Sequence, residues 1–156
     1  MKKEPLCETD KILPKTFYGF TKWMGEKVLE NFSQSHDLTY CCGRIFSFYD
    51  NKQSKKFLYP SIKDKIRNLK NKNILKISNA YNVIDIQKAE NVATTIVKLF
   101  EKKAKGIVNI GTGRGVSIKN FTKQLTKKKI IIDTNKHNKT YYVANIQRLN
   151  SIIKND

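Results

Sequence analysis

The sequence predicts an α/β fold in which strands and helices alternate along a single domain. The chain has 156 residues, and its 39% hydrophobic content supplies enough apolar surface for the core of one such domain. Segments with apolar residues at helical spacing alternate with short segments of β-branched and aromatic residues, an order typical of layered α/β domains. Apolar residues occur throughout and no low-complexity block is present, which excludes disordered, collagen-like and mucin-like classes.

The first half of the chain is predicted to contain two helices and three strands. Thr16 is a suitable N-cap for a helix that begins at Phe17 and ends near His36. Pro60, which is tolerated in a first turn, opens a short helix that runs to about Lys70. Strands are predicted at residues 38–48, 74–78 and 83–86, and a polar turn at residues 49–56.

The second half continues the alternation. Residues 88–103 are predicted as a helix because their apolar side chains recur every three or four positions. A strand at residues 106–110 leads through a loop to a second helix, which Ser117 caps and which ends near Lys127. A strand at residues 130–132 and a short helix at 145–153 complete the pattern.

The formal net charge of +18 results from 31 basic and 13 acidic residues. Such an excess raises nucleic acid or an anionic surface as a partner. Only four of the bases are Arg, however, which is the residue that base-reading and phosphate-binding surfaces favour, and the lysines spread over both halves of the chain. The charge therefore favours a solvated surface. A basic module that binds nucleic acid or another anionic partner without catalysis is the alternative.

Neither a membrane segment nor a metal site is predicted. No apolar run reaches the roughly 18 residues that cross a bilayer, and the first ten residues lack the apolar part of a signal peptide, so a cytoplasmic location is expected. The cysteines Cys7, Cys41 and Cys42 form a poor disulfide framework and suit a reducing compartment. With His36 and His137 as its histidines and no C-x-x-C motif, the chain lacks a zinc ligand set.

Two side-chain stripes run along the first predicted helix. At about 100° per residue, they are Phe17, Phe20, Met24, Val28 and Phe32 and, roughly 110° away, Tyr18, Lys22, Gly25 and Leu29. Tyr18 and Lys22 are therefore neighbours one turn apart, near the helix N-terminus. The ammonium and the positive end of the helix both stabilise a phenolate, so this phenol is suited to general acid–base chemistry. On spacing alone, a chance pairing is the commoner explanation.

Four sequence blocks follow one another along nearly the whole chain. Residues 14–22 read PKTFYGFTK and lead to Glu26, and residues 38–49 read LTYCCGRIFSFY and lead to Gln53. Residues 82–86 read NVIDI, and residues 108–113 read VNIGTG and lead to Ser117. In this order the blocks resemble P-x-x-x-Y-G-x-[ST]-K…E, L-x-x-x-x-x-R-x-F-N-x-Y…Q, R-D-F-I-x-V and x-N-x-G-T-G…S. These are motifs of the extended short-chain dehydrogenase/reductases, the NAD-dependent nucleotide-sugar epimerases, dehydratases and reductases.

The resemblance implies a catalytic pair and a cofactor. Tyr18 would exchange a proton with a sugar hydroxyl or keto oxygen while NAD or NADP exchanges a hydride. Lys22 would hold the nicotinamide ribose and favour the ionised form of the phenol. Ile45 and Phe46 would pass near the nicotinamide.

The resemblance also implies the substrate contacts. Ser47 and Gln53 would face a nucleotide-diphosphate sugar, with Ser47 in place of the usual Asn. Tyr81 stands where many members carry the Arg that grips the substrate diphosphate. The lysine-rich loop at residues 52–56 is predicted as a solubilising surface, with contact to the anionic sugar nucleotide as the alternative.

The resemblance covers only the C-terminal half of such an enzyme. The family begins with a strand–GxxGxxG–helix unit that seats the dinucleotide pyrophosphate, and the residues before Tyr18 contain no such unit. The expected fold is the C-terminal portion of a Rossmann-like fold, one partial domain over residues 1–156. Residues 1–48 would end the sheet and carry the Tyr–Lys helix, and residues 49–156 would form mainly the substrate-binding part. We expect the chain to be inactive alone and to expose an apolar sheet edge and face. The expected partners are a second copy or a separate N-terminal half, through the first helix.

The loop at residues 111–115, GTGRG, imitates a dinucleotide-binding fingerprint. It follows a strand and precedes a helix, and Asp133 lies 22 residues beyond Gly111. The third glycine position, however, is Val116, and the resemblance places this loop in the substrate half. A strand-to-helix turn is therefore predicted, with cofactor binding as the alternative.

Overall fold

The computed structural model describes residues 4–69, 73–134 and 139–154, in which five helices and nine strands alternate. The helices are α1 (Phe17–Ser35), α2 (Leu58–Arg67), α3 (Ala89–Glu101), α4 (Ile118–Gln124) and α5 (Gln147–Lys154). The strands are β1 (Cys41–Ile45), β2 (Ser47–Tyr49), β3 (Ile74–Lys76), β4 (Val83–Ile84), β5 (Ile86–Lys88), β6 (Gly106–Ile110), β7 (Val116–Ser117), β8 (Ile131–Asp133) and β9 (Tyr141–Tyr142). The alternation confirms the predicted α/β class.

α1 begins and ends where the sequence predicts. Thr16 is its N-cap, and the Thr16 hydroxyl oxygen accepts a hydrogen bond from the Gly19 amide at 3.0 Å. At the other end, the His36 amide donates to the Phe32 carbonyl. Both signals are local, so a single sequence is sufficient to place this helix.

α2 begins earlier and α4 ends earlier than predicted. α2 starts at Leu58, so that Pro60 is its third residue rather than its first. Pro is still tolerated there, because amides of the first turn have no partner within the helix. α4 ends at Gln124 instead of Lys127. The predicted end of the second helix, Lys70, lies outside the described residues.

Two predicted strands are each divided in two. Residues 38–48 form β1 and β2, because β1 pairs in parallel with β6 whereas β2 pairs in parallel with β5. The change of partner occurs at Phe46, whose amide still donates to the Ile110 carbonyl at 2.9 Å. Residues 83–86 form β4 and β5, which Asp85 separates. Long-range pairing determines where such strands break, and local β-propensity carries no information about that pairing.

Two pairings close to the N-terminal segment were not predicted. β9 pairs in parallel with β4, whose other edge pairs with β7 in antiparallel register. Leu6 forms a parallel bridge with Ala144. Such short strands show no alternation of their own, so only the partner reveals them.

Two apolar cores hold these elements. One lies between the β1–β6 pair, α3 and α5, and its buried members are Val92, Leu99, Val108, Ile110 and Leu149. The other joins α2, α4 and the parallel pair β3–β8, and its buried members are Ile62, Leu75, Ile77, Ala80, Ile84, Ile118 and Phe121. The first core supports β1, the strand that leads into the candidate site described below. The second core supports the opposite side of that site.

α1 turns its polar side to the described chain and its apolar side away from it. Ser33 is buried, and Trp23, Glu26 and Glu30 are half-buried on the inner side. The five residues of the stripe that begins at Phe17 remain between 40% and 82% exposed. A surface helix normally does the opposite, so these apolar side chains are available to a partner. Among the described helices, none has the length and hydropathy needed to span a bilayer.

Candidate active site

The structure brings Tyr18 and Lys22 together on the first two turns of α1. The Lys22 ammonium nitrogen lies over the Tyr18 ring, 5.4 Å from the ring centroid. Tyr18 is 71% exposed and Lys22 is exposed, so both polar groups are open to a ligand. The Tyr18 carbonyl accepts from the Thr21 hydroxyl at 2.8 Å, within the same turn. A phenol with an adjacent ammonium at a helix N-terminus can give or accept a proton.

A cavity of about 740 Å³ opens at the carboxyl end of β1. It brings together four predicted site residues, which are Ile45, Phe46, Ser47 and Gln53. Its other walls are largely apolar, with aromatic side chains from Phe48, Phe57 and Tyr142. In open α/β sheets, ligands bind beyond the carboxyl ends of the strands, so the position of this cavity is that of a ligand site.

Tyr18, Lys22 and Tyr81 do not line this cavity. Tyr81 is 45% exposed, and the Lys119 ammonium nitrogen lies over its ring, 5.4 Å from the centroid. Its predicted contact with a substrate diphosphate stays a prediction. The Tyr18–Lys22 pair and this cavity therefore form two separate surfaces on this chain.

Gln53 closes the turn that borders the cavity. Its side-chain carbonyl accepts from the Asp50 amide at 3.1 Å, while the Asp50 carboxylate accepts from the Lys52 amide at 2.6 Å. In the same lysine-rich loop, the Lys55 ammonium forms an ion pair with Asp64 at 2.9 Å. Lys55 lowers the pKa of the Asp64 carboxyl, mainly through this hydrogen bond and secondly through its charge.

The N-terminal segment at residues 4–13, here called the strap, forms a wall that sequence reasoning missed. Leu6, Cys7 and Asp10 from this segment line the cavity. Leu6 anchors the strap through a parallel bridge, because its amide donates to the Val143 carbonyl at 2.7 Å and its carbonyl accepts from the Asn145 amide at 2.8 Å. No periodicity marks it in the sequence, so only its pairing with residues 143–145 could have revealed it.

Arg44 and Glu26 form a half-buried ion pair between β1 and α1. The Arg44 Nε and Nη2 atoms donate to the two Glu26 carboxylate oxygens at 2.9 and 2.7 Å. The side chains are 20% and 16% exposed. The hydrogen bond to Glu26 is the main cause that raises the pKa of Arg44, so this guanidinium stays charged. A bidentate pair of this kind fixes direction as well as distance.

The glycine-rich loop at residues 111–115 binds a side chain of its own chain. Asp85, 1% exposed, accepts from the Thr112 and Gly113 amides at 2.9 Å each and from the Thr112 hydroxyl at 2.6 Å. A Cβ on Gly111 would lie 2.6 Å from the Asp85 carboxylate, so this approach requires glycine. A pyrophosphate would meet a buried carboxylate and occupied amides. The loop does not fit a cofactor phosphate, and it acts as the predicted strand-to-helix turn, with the Ser117 hydroxyl capping α4 at 3.1 Å.

A second groove, of about 710 Å³, lies on the outer face of β1. Cys41, Gly43 and Ile45 form its floor, and the apolar side chains of α3 form its side. Within the described ranges, β1 pairs only with β6, so its other edge is open. Burial is the main cause that raises the pKa of both the Cys41 and the Cys42 thiol. Apolar surface and a free strand edge thus adjoin each other at β1.

Solved structures of proteins in complex with NAD or NADPH share this fold. RMD from Pseudomonas aeruginosa, solved with NADPH, superposes with a TM-score of 0.82 at 16% identity, over 94% of this chain and 52% of its own. dTDP-glucose 4,6-dehydratase from Bacillus anthracis, solved with NAD, gives 0.81 at 19% identity, with 99% and 51% covered. UDP-glucuronic acid 4-epimerase from Bacillus cereus, solved with NAD, gives 0.80 at 19% identity, with 100% and 52% covered. The chain spans about half the length of these proteins.

The sequence comparisons agree with this likeness. No curated protein matches the chain. The GDP-mannose 4,6 dehydratase family, in contrast, matches over residues 1–154, which is nearly the whole length. The predicted resemblance to the C-terminal half of the extended dehydrogenase/reductases is thereby confirmed. This chain belongs to the GDP-mannose 4,6 dehydratase family, within the extended short-chain dehydrogenase/reductases that include the NAD-dependent epimerases and dehydratases.

Proposed function

We propose that this chain forms the substrate-binding half of an NAD(P)-dependent nucleotide-sugar epimerase, dehydratase or reductase. The observation that carries the proposal is the Tyr18–Lys22 pair, in which an ammonium lies 5.4 Å from the centroid of an exposed phenol ring at a helix start. Family membership gives this geometry a chemical context that spacing alone does not provide. As expected from the sequence, we propose that the chain is inactive alone.

The residues of the pair have different roles in this proposal. The Tyr18 hydroxyl gives a proton to a sugar keto oxygen, or takes one from a sugar hydroxyl. The Lys22 ammonium, which lies over the Tyr18 ring, is a suitable donor to ribose hydroxyls. NAD or NADP, when bound, supplies or accepts the hydride. Ile45 and Phe46 present apolar surface where they leave β1, and such surface suits a nicotinamide face.

The cavity at the end of β1 is the proposed seat of the nucleotide-diphosphate sugar. Phe46 and Phe48 offer ring faces to a sugar or base, and the exposed Ser47 hydroxyl is a hydrogen-bonding group between them. Tyr81 and its neighbour Lys119 are proposed to lie on the diphosphate side. The strap encloses the cavity opposite β2.

Two partners are proposed for the apolar surfaces of α1 and β1. A nucleotide-binding half, in the same or another chain, would pair with the open edge of β1, fill the outer groove and cover the stripe of Tyr18 and Leu29. A second copy of the chain would cover the stripe that begins at Phe17. The net charge of +18 opposes self-association over most of the surface. α1 itself carries two acidic and two lysine side chains, so it is the favourable place for two copies to meet.

Cysteine alkylation can test the substrate proposal with the chain as it exists. Cys7 lines the cavity and Cys41 lines the outer groove, so single-cysteine variants report separately on each. In a panel of UDP-glucose, dTDP-glucose and GDP-mannose, we expect at least one to slow alkylation of Cys7 in a saturable way and leave Cys41 unchanged. Ser47→Trp, which fills the cavity, should abolish that protection. The matched Ser151→Trp on the exposed side of α5 should retain it.

Two results would contradict the proposal. One is a set of nucleotide sugars that fail to protect Cys7 at any concentration tested, and the other is equal protection of Cys7 and Cys41. Calorimetric titration with NADH and NADPH tests the half-enzyme interpretation. We expect no tight binding, because the loop amides that could hold a pyrophosphate are bound to Asp85. Tight binding by this chain alone would show that it contains a complete cofactor site.

A further inference from the structure

One guanidinium joins the two elements that frame the proposed site. Besides its two bonds to Glu26 on α1, Arg44 donates from Nη1 to the Glu8 carbonyl of the strap at 2.8 Å. Three of its five N–H donors are thus used, in two directions. Glu26 lies eight positions after Tyr18 on the same helix, and Glu8 lies between strap residues that line the cavity.

The strap end of this connection is itself fixed. The Glu8 carboxylate accepts from the Asn109 amide of β6 at 2.9 Å, and the Asn109 side-chain amide donates to the Leu6 carbonyl at 2.9 Å. Asn109 is 2% exposed. The strap is therefore held from two adjacent strands, by Arg44 of β1 and by Asn109 of β6.

The α1 end depends strongly on the same guanidinium. The apolar stripe of α1 that begins at Phe17 faces away from the described chain, and Ser33 is the one buried residue of this helix among those described. The Ser33 hydroxyl donates to the Leu38 carbonyl near the C-terminal end of the helix. Toward the N-terminal half of the helix, where Tyr18 and Lys22 lie, the half-buried Glu26–Arg44 pair provides directional bonds.

We infer that Arg44 is a positioning residue that sets the Tyr18–Lys22 helix against the wall of the substrate cavity. The identification of these two surfaces as one active site rests on the proposed function. Arg44 acts through Glu26 and Glu8. A lysine at this position could not replace it, because a single ammonium lacks the planar fork that serves a carboxylate and a second acceptor at fixed angles.

Segment-resolved amide exchange tests this role in the unliganded chain. Arg44→Lys should speed exchange in both α1 and the strap by at least tenfold, while the β6 amides other than that of Asn109, which donates to Glu8 of the strap, stay near the wild-type rate. Glu26→Gln keeps the Arg44–Glu8 bond and should affect α1 alone. Arg148→Lys is the matched control, since Arg148 makes one exposed hydrogen bond to the Lys105 carbonyl, and it should change neither segment.

Ligand affinity gives a second readout that global stability would not reproduce. With whichever nucleotide sugar protects Cys7, Arg44→Lys should weaken binding at least fivefold, whereas Glu26→Gln should stay within twofold. Exchange that rises equally in α1, the strap and β6 would reduce Arg44 to a general structural role and overturn the inference. Weaker binding with an unchanged strap would instead make Arg44 a direct ligand contact, and would also overturn it. If no nucleotide sugar binds the wild type, the proposed function fails, and the exchange result still decides the inference.

Discussion

Replacing Asp85 separates a charge effect from a hydrogen-bonding effect in the loop that follows β6. This 1% exposed carboxylate accepts from three backbone amides, those of Thr112, Gly113 and Ala144, with the Ala144 amide at 3.3 Å. It also accepts from the Thr112 hydroxyl through Oδ1. Asp85→Ala removes every acceptor at once and leaves three amides without a partner. Asp85→Asn keeps a carbonyl oxygen at the Oδ2 position, where all three amides reach it.

The magnitudes follow from what each variant leaves unpaired. A buried donor without a partner costs about 1–3 kcal/mol. Thr112 and Gly113 are half-buried and water reaches them in part, so Asp85→Ala should lower the free energy of unfolding by about 3–5 kcal/mol. In Asp85→Asn, the new Nδ2 group donates to the Thr112 hydroxyl, which can turn to accept. That variant loses only the charge assistance of the bonds, about 1–2 kcal/mol.

Urea unfolding, followed both by circular dichroism and by the fluorescence of Trp23, measures the two effects. Asp133→Asn is the matched control, because Asp133 is an exposed carboxylate at the end of β8, and it should change the free energy of unfolding by less than about 0.5 kcal/mol. The reasoning fails if Asp85→Ala is close to the wild type. It also fails if Asp85→Asn is as destabilised as Asp85→Ala, since the loop would then depend on charge and not on the number of acceptors.

Three further perturbations test other parts of the structure. Thr16→Ala removes the acceptor for the Gly19 amide, so it should cost about 1 kcal/mol and raise amide exchange in the first turn of α1, whereas Thr16→Ser should restore both. Val28 is 63% exposed, so Val28→Lys should raise solubility and change the free energy of unfolding by less than about 0.5 kcal/mol. A decrease in the free energy of unfolding above about 1 kcal/mol would mean that the stripe that begins at Phe17 is already covered. Burial and then the charge of Glu26 raise the pKa of the Cys42 thiol, so alkylation of Cys42 should need a higher pH than alkylation of free cysteine. Glu26→Gln should shift the pH–rate profile of this alkylation to lower pH, and an unchanged profile would exclude Glu26 as a cause.

Local signals predicted α1 well, and long-range pairing defeated prediction elsewhere. The Thr16 cap and the spacing of Tyr18 and Lys22 lie within one stretch of chain, so the sequence alone was sufficient to predict that these two side chains meet. The break at Phe46 arises because β1 and β2 have different partners far along the chain. The strap could not be predicted for the same reason, since its hydrogen bonds go to residues 143–145 and to Asn109, far along the chain.

The orientation of α1 could not be predicted from its hydrophobic pattern, and this failure carries functional information. Periodicity identifies the stripe of Phe17 as apolar, and an apolar stripe normally faces the core of its own chain. Here an ion pair with Arg44 holds Glu26 inward, so the apolar stripe of Phe17 and the stripe of Tyr18 and Lys22 face away from the described chain. The chain spans about half the length of its solved relatives. In the proposed function, the other half would cover the apolar surface of α1 that lies beside the Tyr18–Lys22 pair. The surfaces that stability alone would bury are therefore the ones that the proposed function requires to be open.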